Sequence, residues 1–314
     1  MSELKVNKIP FFSIVVPTYN RAGFICKAIE SVLIQTFNDF ELIIVDDGST
    51  DNTKEVIEKY NDSRIKYFYQ KNKERSAARN EGIRKSKGEY ITFLDSDDYY
   101  LPQRLENLYN GIISKGSPIA FFYTGISFEK DGVILEREEI NNSFKSDKDF
   151  IVWGVIGTPQ ACLHRAIFDK HKFNENFHIS EDMELWLRII HDGYKLYFID
   201  MYDIIAVQHS GRSIDEFSNN SFFEMAKVLR FMFSKNHPGN DVSSVFKRST
   251  WGSVNYGIAK YNIYNNNKWK AIYYLIKSII AKPFYPQTKH KIFLICKIMV
   301  TKKNRLFQLK ELIG

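Results

Sequence analysis

Cysteine is scarce in this chain of 314 residues: Cys26, Cys162 and Cys296 are three in number, far apart, and form neither a CxxC nor a metal-type spacing. That excludes a disulfide framework and a thiolate zinc site, and it fits a reducing compartment. Long apolar runs are missing too. None approaches the roughly 18 to 20 residues that cross a bilayer, and Met1 to Lys8 carries no apolar signal segment, so the expectation is a cytoplasmic protein. Acid is nearly absent from the tail: residues 268–314 hold eleven Lys or Arg and Glu311 alone, a balance of +10 that leaves −3 for the rest of a chain whose net charge is +7. A near-neutral body argues against a nucleic-acid channel, and no nucleic-acid partner is expected. A further absence is GxGxxG. The turn after the first apolar run, Thr18-Tyr19-Asn20-Arg21-Ala22-Gly23, lacks the glycines that let a backbone approach a dinucleotide pyrophosphate, which argues against a nicotinamide enzyme.

What is present is an alternation. Apolar residues make up 44% of the chain and aromatics 15%, enough for a core. Phe11 to Pro17 reads as a buried strand stopped by Pro17, Ala22 to Thr36 as a helix with Ile25, Ala28, Ile29, Val32 and Leu33 on one face, and Glu41 to Val45 as a second strand running into Asp46-Asp47-Gly48-Ser49. Ile65 to Gln70 reads as strand, Ser76 to Lys85 as helix, Tyr90 to Leu94 as strand and Pro102 to Ile113 as helix. Strand and helix in turn predict an α/β fold with a largely parallel sheet. The strand Tyr90 to Leu94 ends in Asp95-Ser96-Asp97-Asp98. In extended chain Asp95 and Asp97 point to one side, beyond the carboxyl end of a strand, where open α/β sheets bind ligands. Capping the next helix requires one Asp; the loop has three. Crowded carboxylates call for a cation, and hard oxygen ligands suit Mg²⁺ or Mn²⁺, which recruit phosphates.

A second acidic cluster, Glu181, Asp182 and Glu184, opens an amphipathic helix through Leu185, Leu187, Ile189 and Ile190, with Ser180 expected as N-cap. Acids in a first turn also complement the helix dipole. Trp153 to Ala161 reads equally as a sugar-facing loop or a buried turn. Lys71, Lys73 and Arg75 read as exposed charge.

These residues resemble the inverting family 2 glycosyltransferases with the GT-A fold. The matching pieces are Val16-Pro17-Thr18-Tyr19-Asn20, Val45-Asp46-Asp47-Gly48-Ser49-Thr50-Asp51, Ala77-Ala78-Arg79-Asn80-Glu81-Gly82, Lys87-Gly88-Glu89-Tyr90, Phe93-Leu94-Asp95-Ser96-Asp97-Asp98 and Glu181-Asp182-Met183-Glu184-Leu185-Trp186-Leu187-Arg188, in the family's order over residues 11–212. The resemblance implies a Rossmann-like, mostly parallel sheet flanked by helices and a nucleoside-diphosphate-sugar donor, taken as a UDP-sugar. Pro17, Thr18 and Tyr19 would line the base pocket and Asp47 would bond the base. Arg79 is carried over from the Ala-Arg-Asn motif. Asp95-Ser96-Asp97 matches the DxD motif, with Asp97 as the direct metal ligand, Asp95 near the metal, ribose or diphosphate, and Ser96 between them. Asp182 of the Glu181-Asp182 pair would be the general base. His209, in a Val-Gln-His-Ser-Gly-Arg-Ser stretch that matches the family loosely, would stand near the metal, Mn²⁺ or Mg²⁺.

Residues 1–215 are thus expected to be the catalytic domain, donor-binding over about 1–110 and acceptor-side over 111–215, and residues 216–314 a helical extension. Phe222 to Phe233, Val245 to Tyr264, the stripe Trp269, Ile272, Tyr273, Ile276 and Ile280, and residues 289–303 read as helices. The basic amphipathic tail either lies in a membrane interface or packs as a hairpin with its lysines in water. The resemblance implies transfer to a glycan or polyprenyl-diphosphate-linked acceptor in capsule, O-antigen or other surface-polysaccharide synthesis, at the inner face of the cytoplasmic membrane. The rival readings are a sugar-1-phosphate nucleotidyltransferase, which lacks its Gly-rich Thr-Arg loop here, and a sugar-nucleotide-binding module without catalysis, which the intact Asp97 and Asp182 oppose.

Overall fold

The computed structural model describes residues 9–135, 146–154, 156–209, 221–283 and 287–301, with isolated positions at 306, 308, 309 and 312. Val155, the side chains of Trp153 and Gly154, the boundary expected near 215 and the Ser-Gly-Arg-Ser after His209 lie outside the described residues. The chain divides into two units, Met1–Ser143 with Gly154–His209 and Phe144–Trp153 with Ser210–Gly314.

The first unit is α/β. Strands β1 (Phe12–Thr18), β2 (Phe40–Asp46), β3 (Ile65–Tyr69) and β4 (Tyr90–Phe93) alternate with helices α1 (Ile25–Leu33), α2 (Thr53–Ile57) and α3 (Glu74–Lys85). Then come β5 (Tyr99–Tyr100), α4 (Arg104–Ile113), β6 (Phe121–Thr124), β7 (Ser127–Lys130) and β8 (Val133–Ile134). After α5 (Asp147–Gly154), which falls largely in the second unit, the first unit resumes with β9 (Ala161–His164), α6 (Glu181–His191), β10 (Leu196–Ile199) and β11 (Ile204–Gln208). Among the described residues the main sheet has the order β10-β6-β9-β4-β1-β2-β3, parallel apart from β9, which runs antiparallel to both β4 and β6. Strands β1 and β2 are buried nearly throughout, as befits central strands of a sheet covered on both faces.

Strand β1 continues one residue past Pro17 rather than stopping there, because β4 pairs with it only as far as Val15 and the ladder on that side has already ended. Helix α3 lies on β1 at Gly82, where a Cβ would stand 2.3 Å from Val15 Cγ1. Beneath, the buried Glu41 carboxylate accepts from Ser13 Oγ (2.6 Å) and the Lys87 amide (2.6 Å), splicing β4 into register beside β1 and β2. A second sheet, β5-β11-β7-β8, joins short segments about a hundred residues apart, which the period of such short runs does not reveal. Trp153–Ala161 resolves as a buried turn where it is described: Thr158, Pro159 and Gln160 are buried, and the Gln160 amide spans from Gly157 N–H to the Thr124 carbonyl.

The second unit is helical: α5, α7 (Ser221–Met232), α8 (Ser244–Tyr264), α9 (Lys268–Ala281) and α10 (Thr288–Val300). Asp149 holds the Ser243 amide and Lys148 pairs with Asp241. The core is built from Ala259, Ile263, Ala271, Leu275, Leu294 and Ile298. Helix α9 therefore packs with the face of Ala271, Leu275 and Ser278, and its other apolar stripe, Trp269, Tyr273, Ile276 and Ile280, is turned outward. Not all tail lysines stand in water, since Lys291 is buried with its ammonium 5.0 Å from the Tyr256 ring centre. No helix among the described residues is long and apolar enough to cross a membrane.

Candidate active site

Because β4, β1 and β2 are adjacent and parallel, their carboxyl ends open on one edge of the sheet. Two turns there are tied together. Asn20, in the left-handed region at φ 51°, donates its N–H to Ser49 Oγ (2.9 Å) and accepts from the Thr50 amide on its side-chain oxygen (2.8 Å). Arg21 N–H reaches Thr53 Oγ1 and Ala22 N–H reaches Asp51. Asp-Gly-Ser-Thr-Asp after β2 is thus an anchor for the Thr-Tyr-Asn turn after β1. Gly48 makes the bend at φ 86°, with Asn72 N only 2.7 Å from where a Cβ would stand.

Of the residues expected at the base, Pro17 is half-buried in β1, Tyr19 is 46% exposed, and Thr18 is buried with no hydrogen-bond partner for its Oγ1 among the described residues. Asp47 is buried and accepts from Gln70 Nε2 (2.6 Å) and the Lys73 amide (3.0 Å). Burial raises its carboxyl above the usual range while those two donors pull it back.

Residues 95–98 are not extended. Asp98 N–H bonds to the Asp95 carbonyl (3.1 Å), closing a turn, so Asp95 and Asp97 find different partners. Asp98 is a structural residue, buried and accepting the Val207 amide of β11 (3.0 Å). Asp97 Oδ2 lies 3.3 Å from His209 Nε2 and 4.0 Å from Arg21 Nε. The His209 ring in turn stacks on Phe24 at 4.4 Å between centres. Ser96 is buried. Asp95 meets Arg79, whose Nη2 is 3.2 Å from Oδ1. Among the described residues there is no group of three or more His, Cys, Asp or Glu side chains set to hold a metal.

Arg79 connects the two acidic clusters. It is buried, with Nη1 2.7 Å from Glu181 Oε1 and its guanidinium 5.6 Å from the Phe173 ring centre. Burial disfavours its charge, yet Asp95, Glu181 and Asp182 together hold its pKa above the ordinary value. Ser180 occupies the position before α6 but is not the expected side-chain cap: its φ is 54° and its hydroxyl caps nothing. That strained residue turns the chain into a helix whose first residues are Glu181, buried on Arg79, and Asp182, partly exposed. Dense surroundings and the Glu181 charge raise the Asp182 carboxyl to about 7, against the pull of the Met183 amide and Arg79. Glu184 is a structural acid that clamps Arg188 (2.7 Å). The expected sites thus meet in two groups, Asp95–Arg79–Glu181–Asp182 and Asp97–His209. Residues that sequence reasoning gave no part are Arg21, Phe24, Gln70 and Phe173. Gln70 carried a signal, as a polar residue ending an apolar strand; the other three had none.

A largely parallel sheet with bound turns at its carboxyl edge, flanked by helices, is an α/β fold of the GT-A class. The structure resembles that of TarS from S. aureus, solved with UDP-GlcNAc, with a TM-score of 0.60 over 96% of this chain and 90% of that one, at 19% identity. Residues 13–175 match the profile of Glycosyl transferase family 2; the chain belongs to that family. Its relatives include UDP-Glc:alpha-D-GlcNAc-diphosphoundecaprenol beta-1,3-glucosyltransferase WfaP of Escherichia coli, 31% identical over 72% of this chain and 88% of that protein. An uncharacterized glycosyltransferase of Rickettsia felis is 37% identical over 56% of this chain, which spans only 30% of its length.

Proposed function

We propose that this glycosyltransferase moves a hexose from a UDP-sugar to a hydroxyl of a glycan on a polyprenyl diphosphate carrier, with inversion, during surface-polysaccharide synthesis at the inner face of the cytoplasmic membrane. The carrying observation is the Arg79 bridge. It ties Asp95 to Glu181, so Asp182, raised toward neutrality, stands next to an acid anchored to the donor side. The donor and acceptor in the name of WfaP support the substrate classes, and UDP-GlcNAc on TarS supports a uridine nucleotide.

In this reading Thr18 supplies its unpartnered hydroxyl, and Tyr19 its exposed ring, to the nucleotide base. Asp47 sets the Gln70 amide and the Lys73 loop beside it. Asp182 takes the proton of the acceptor hydroxyl, whose oxygen attacks the anomeric carbon from the side opposite the diphosphate and inverts it. Burial, helped by the neighbouring Glu181 that Arg79 holds in place, keeps the Asp182 carboxyl raised. Asp97 and His209 offer a carboxylate oxygen and an imidazole nitrogen side by side. That pair is of a chemistry that suits Mn²⁺ or Mg²⁺, while Asp95 stands apart from it on Arg79. When bound, such an ion neutralises charge on a departing diphosphate.

The test is incubation with a panel of nucleotide sugars, with and without Mn²⁺. Slow release of UDP from one donor in the absence of acceptor is the expected result, faster with the metal. No turnover of any donor, or formation of a nucleotide sugar from nucleoside triphosphate and sugar 1-phosphate, would overturn the reading.

A further inference from the structure

Helices α7, α8 and α9 of the helical unit surround a cavity of about 570 Å³, within the range of small-ligand sites. Each helix contributes a cation: Arg230, Arg248 and Lys277. No acid lines the cavity, and among the described residues none of the three forms an ion pair. Instead two of them meet aromatic faces. The Arg230 guanidinium stands 6.0 Å from the Trp251 ring centre, and the Lys277 ammonium 4.6 Å and 6.0 Å from Tyr273 and Tyr274. Ring faces offset only part of the repulsion among three like charges, and two guanidiniums match the geometry of phosphate oxygens.

The rim says what the phosphate is attached to. Ile280 borders the cavity and also ends the outward stripe of Trp269, Tyr273, Ile276 and Ile280 on α9, where it is 72% exposed. Helix α10 adds Ile292, Phe293 and Met299 outward, with Lys289 and Lys297 among them. A ligand satisfying both features joins an anionic phosphate to apolar chains. We infer that this cavity holds the phosphate head group of an anionic lipid, with the apolar stripe of α9 set into the lipid surface. An interfacial helix needs this composition and not the length of a membrane span.

The inference stands apart from the transfer chemistry, because its experiment reads lipid binding. The full-length protein is spun with phosphatidylglycerol vesicles and with phosphatidylcholine vesicles at low salt. Partition onto phosphatidylglycerol is expected. Each basic residue at an anionic surface is worth about fivefold, so Arg230→Gln with Arg248→Gln should lower partition about twenty-fivefold. Ile276→Ser with Ile280→Ser should lower it as well. Lys59→Ala with Lys66→Ala removes the same charge from exposed positions of the α/β unit and should change it less than about twofold, since charge that is no part of a binding site adds only diffuse, screened attraction. Equal losses in the two charge variants would reduce the effect to diffuse attraction and overturn the site, as would equal partition onto both lipids or none onto either. Saturable binding of inorganic phosphate, lost in the arginine variant, without vesicle partition would assign the cavity to a soluble phosphate compound and overturn the lipid. Donor hydrolysis on the same samples reports separately on the transferase reading.

Discussion

The α/β unit and the helical unit handle charge in opposite ways. At the carboxyl edge of the sheet, acids outnumber bases, one buried arginine holds Asp95 and Glu181 in place, and burial beside Glu181 raises the Asp182 carboxyl. In the α7–α8–α9 cavity, bases stand without lining acids, and two of the three rest on rings. A paired charge is a fixed part of the fold. A charge facing only aromatic rings and solvent keeps its attraction for something outside the chain.

The comparison breaks most sharply at the base. Asp182→Asn should lower kcat by about 10² to 10⁴, as loss of a general base does, and leave the Kd for the nucleotide sugar nearly unchanged, whereas Asp97→Ala should weaken metal-dependent donor binding. Titration calorimetry alongside turnover separates them, and equal loss of donor affinity in both variants would remove Asp182 from the role of base. Next is the bridge. Arg79→Met leaves Asp95 and the buried Glu181 without their cation, a loss of about 3 to 5 kcal/mol; for a unit of this size the melting temperature should fall about 6 to 20 °C in a thermal scan. An unchanged melting temperature would mean that the pair is solvated and not structural.

The pH profile sharpens the contrast more gently. Asp182 accepts a proton only when ionised, and its carboxyl is raised to about 7. The limb of kcat/KM against pH should therefore rise through about 7 and level off above it, and Asp182→Asn should flatten that limb at low residual rate. A limb near the ordinary carboxylate value in the wild type would place the base elsewhere. The smallest effect belongs to Thr18. Its buried hydroxyl has no partner among the described residues, so Thr18→Val should leave stability unchanged or slightly raised while weakening UDP binding by about three- to tenfold, the worth of one hydrogen bond. Lost stability with unchanged UDP affinity would make the hydroxyl structural.

Legibility followed distance along the chain. Strands β1 and β2 and helices α1 and α6 were plain from their apolar residues, because neighbours within a turn or a pleat decide them. The acidic motifs were plain as motifs, and the resemblance assigns Asp95 and Asp97, yet nothing in the sequence marks a third acid, Asp98, as structural. The third is buried only because β11, 109 residues on, delivers the Val207 amide to it. Ser180 was misread as a cap because its left-handed backbone is imposed by the fold, not by serine. The outward turn of the α9 stripe was equally hidden, since period shows that a helix has an apolar face and not which way that face points.

The partners of Arg79 and Asp97 carry a consequence in time. Arg79 meets Glu181 across 102 residues and Asp97 meets His209 across 112. At cellular rates of synthesis those separations amount to about 5 to 20 s of elongation. On the proposed assignment the nascent sheet would stand for seconds as an edge with Arg79 but without Asp182, and transfer would wait for α6 and then the end of β11. A ribosome-stalled chain that stops before Glu181 should hold the donor-side turns already formed and be unable to transfer.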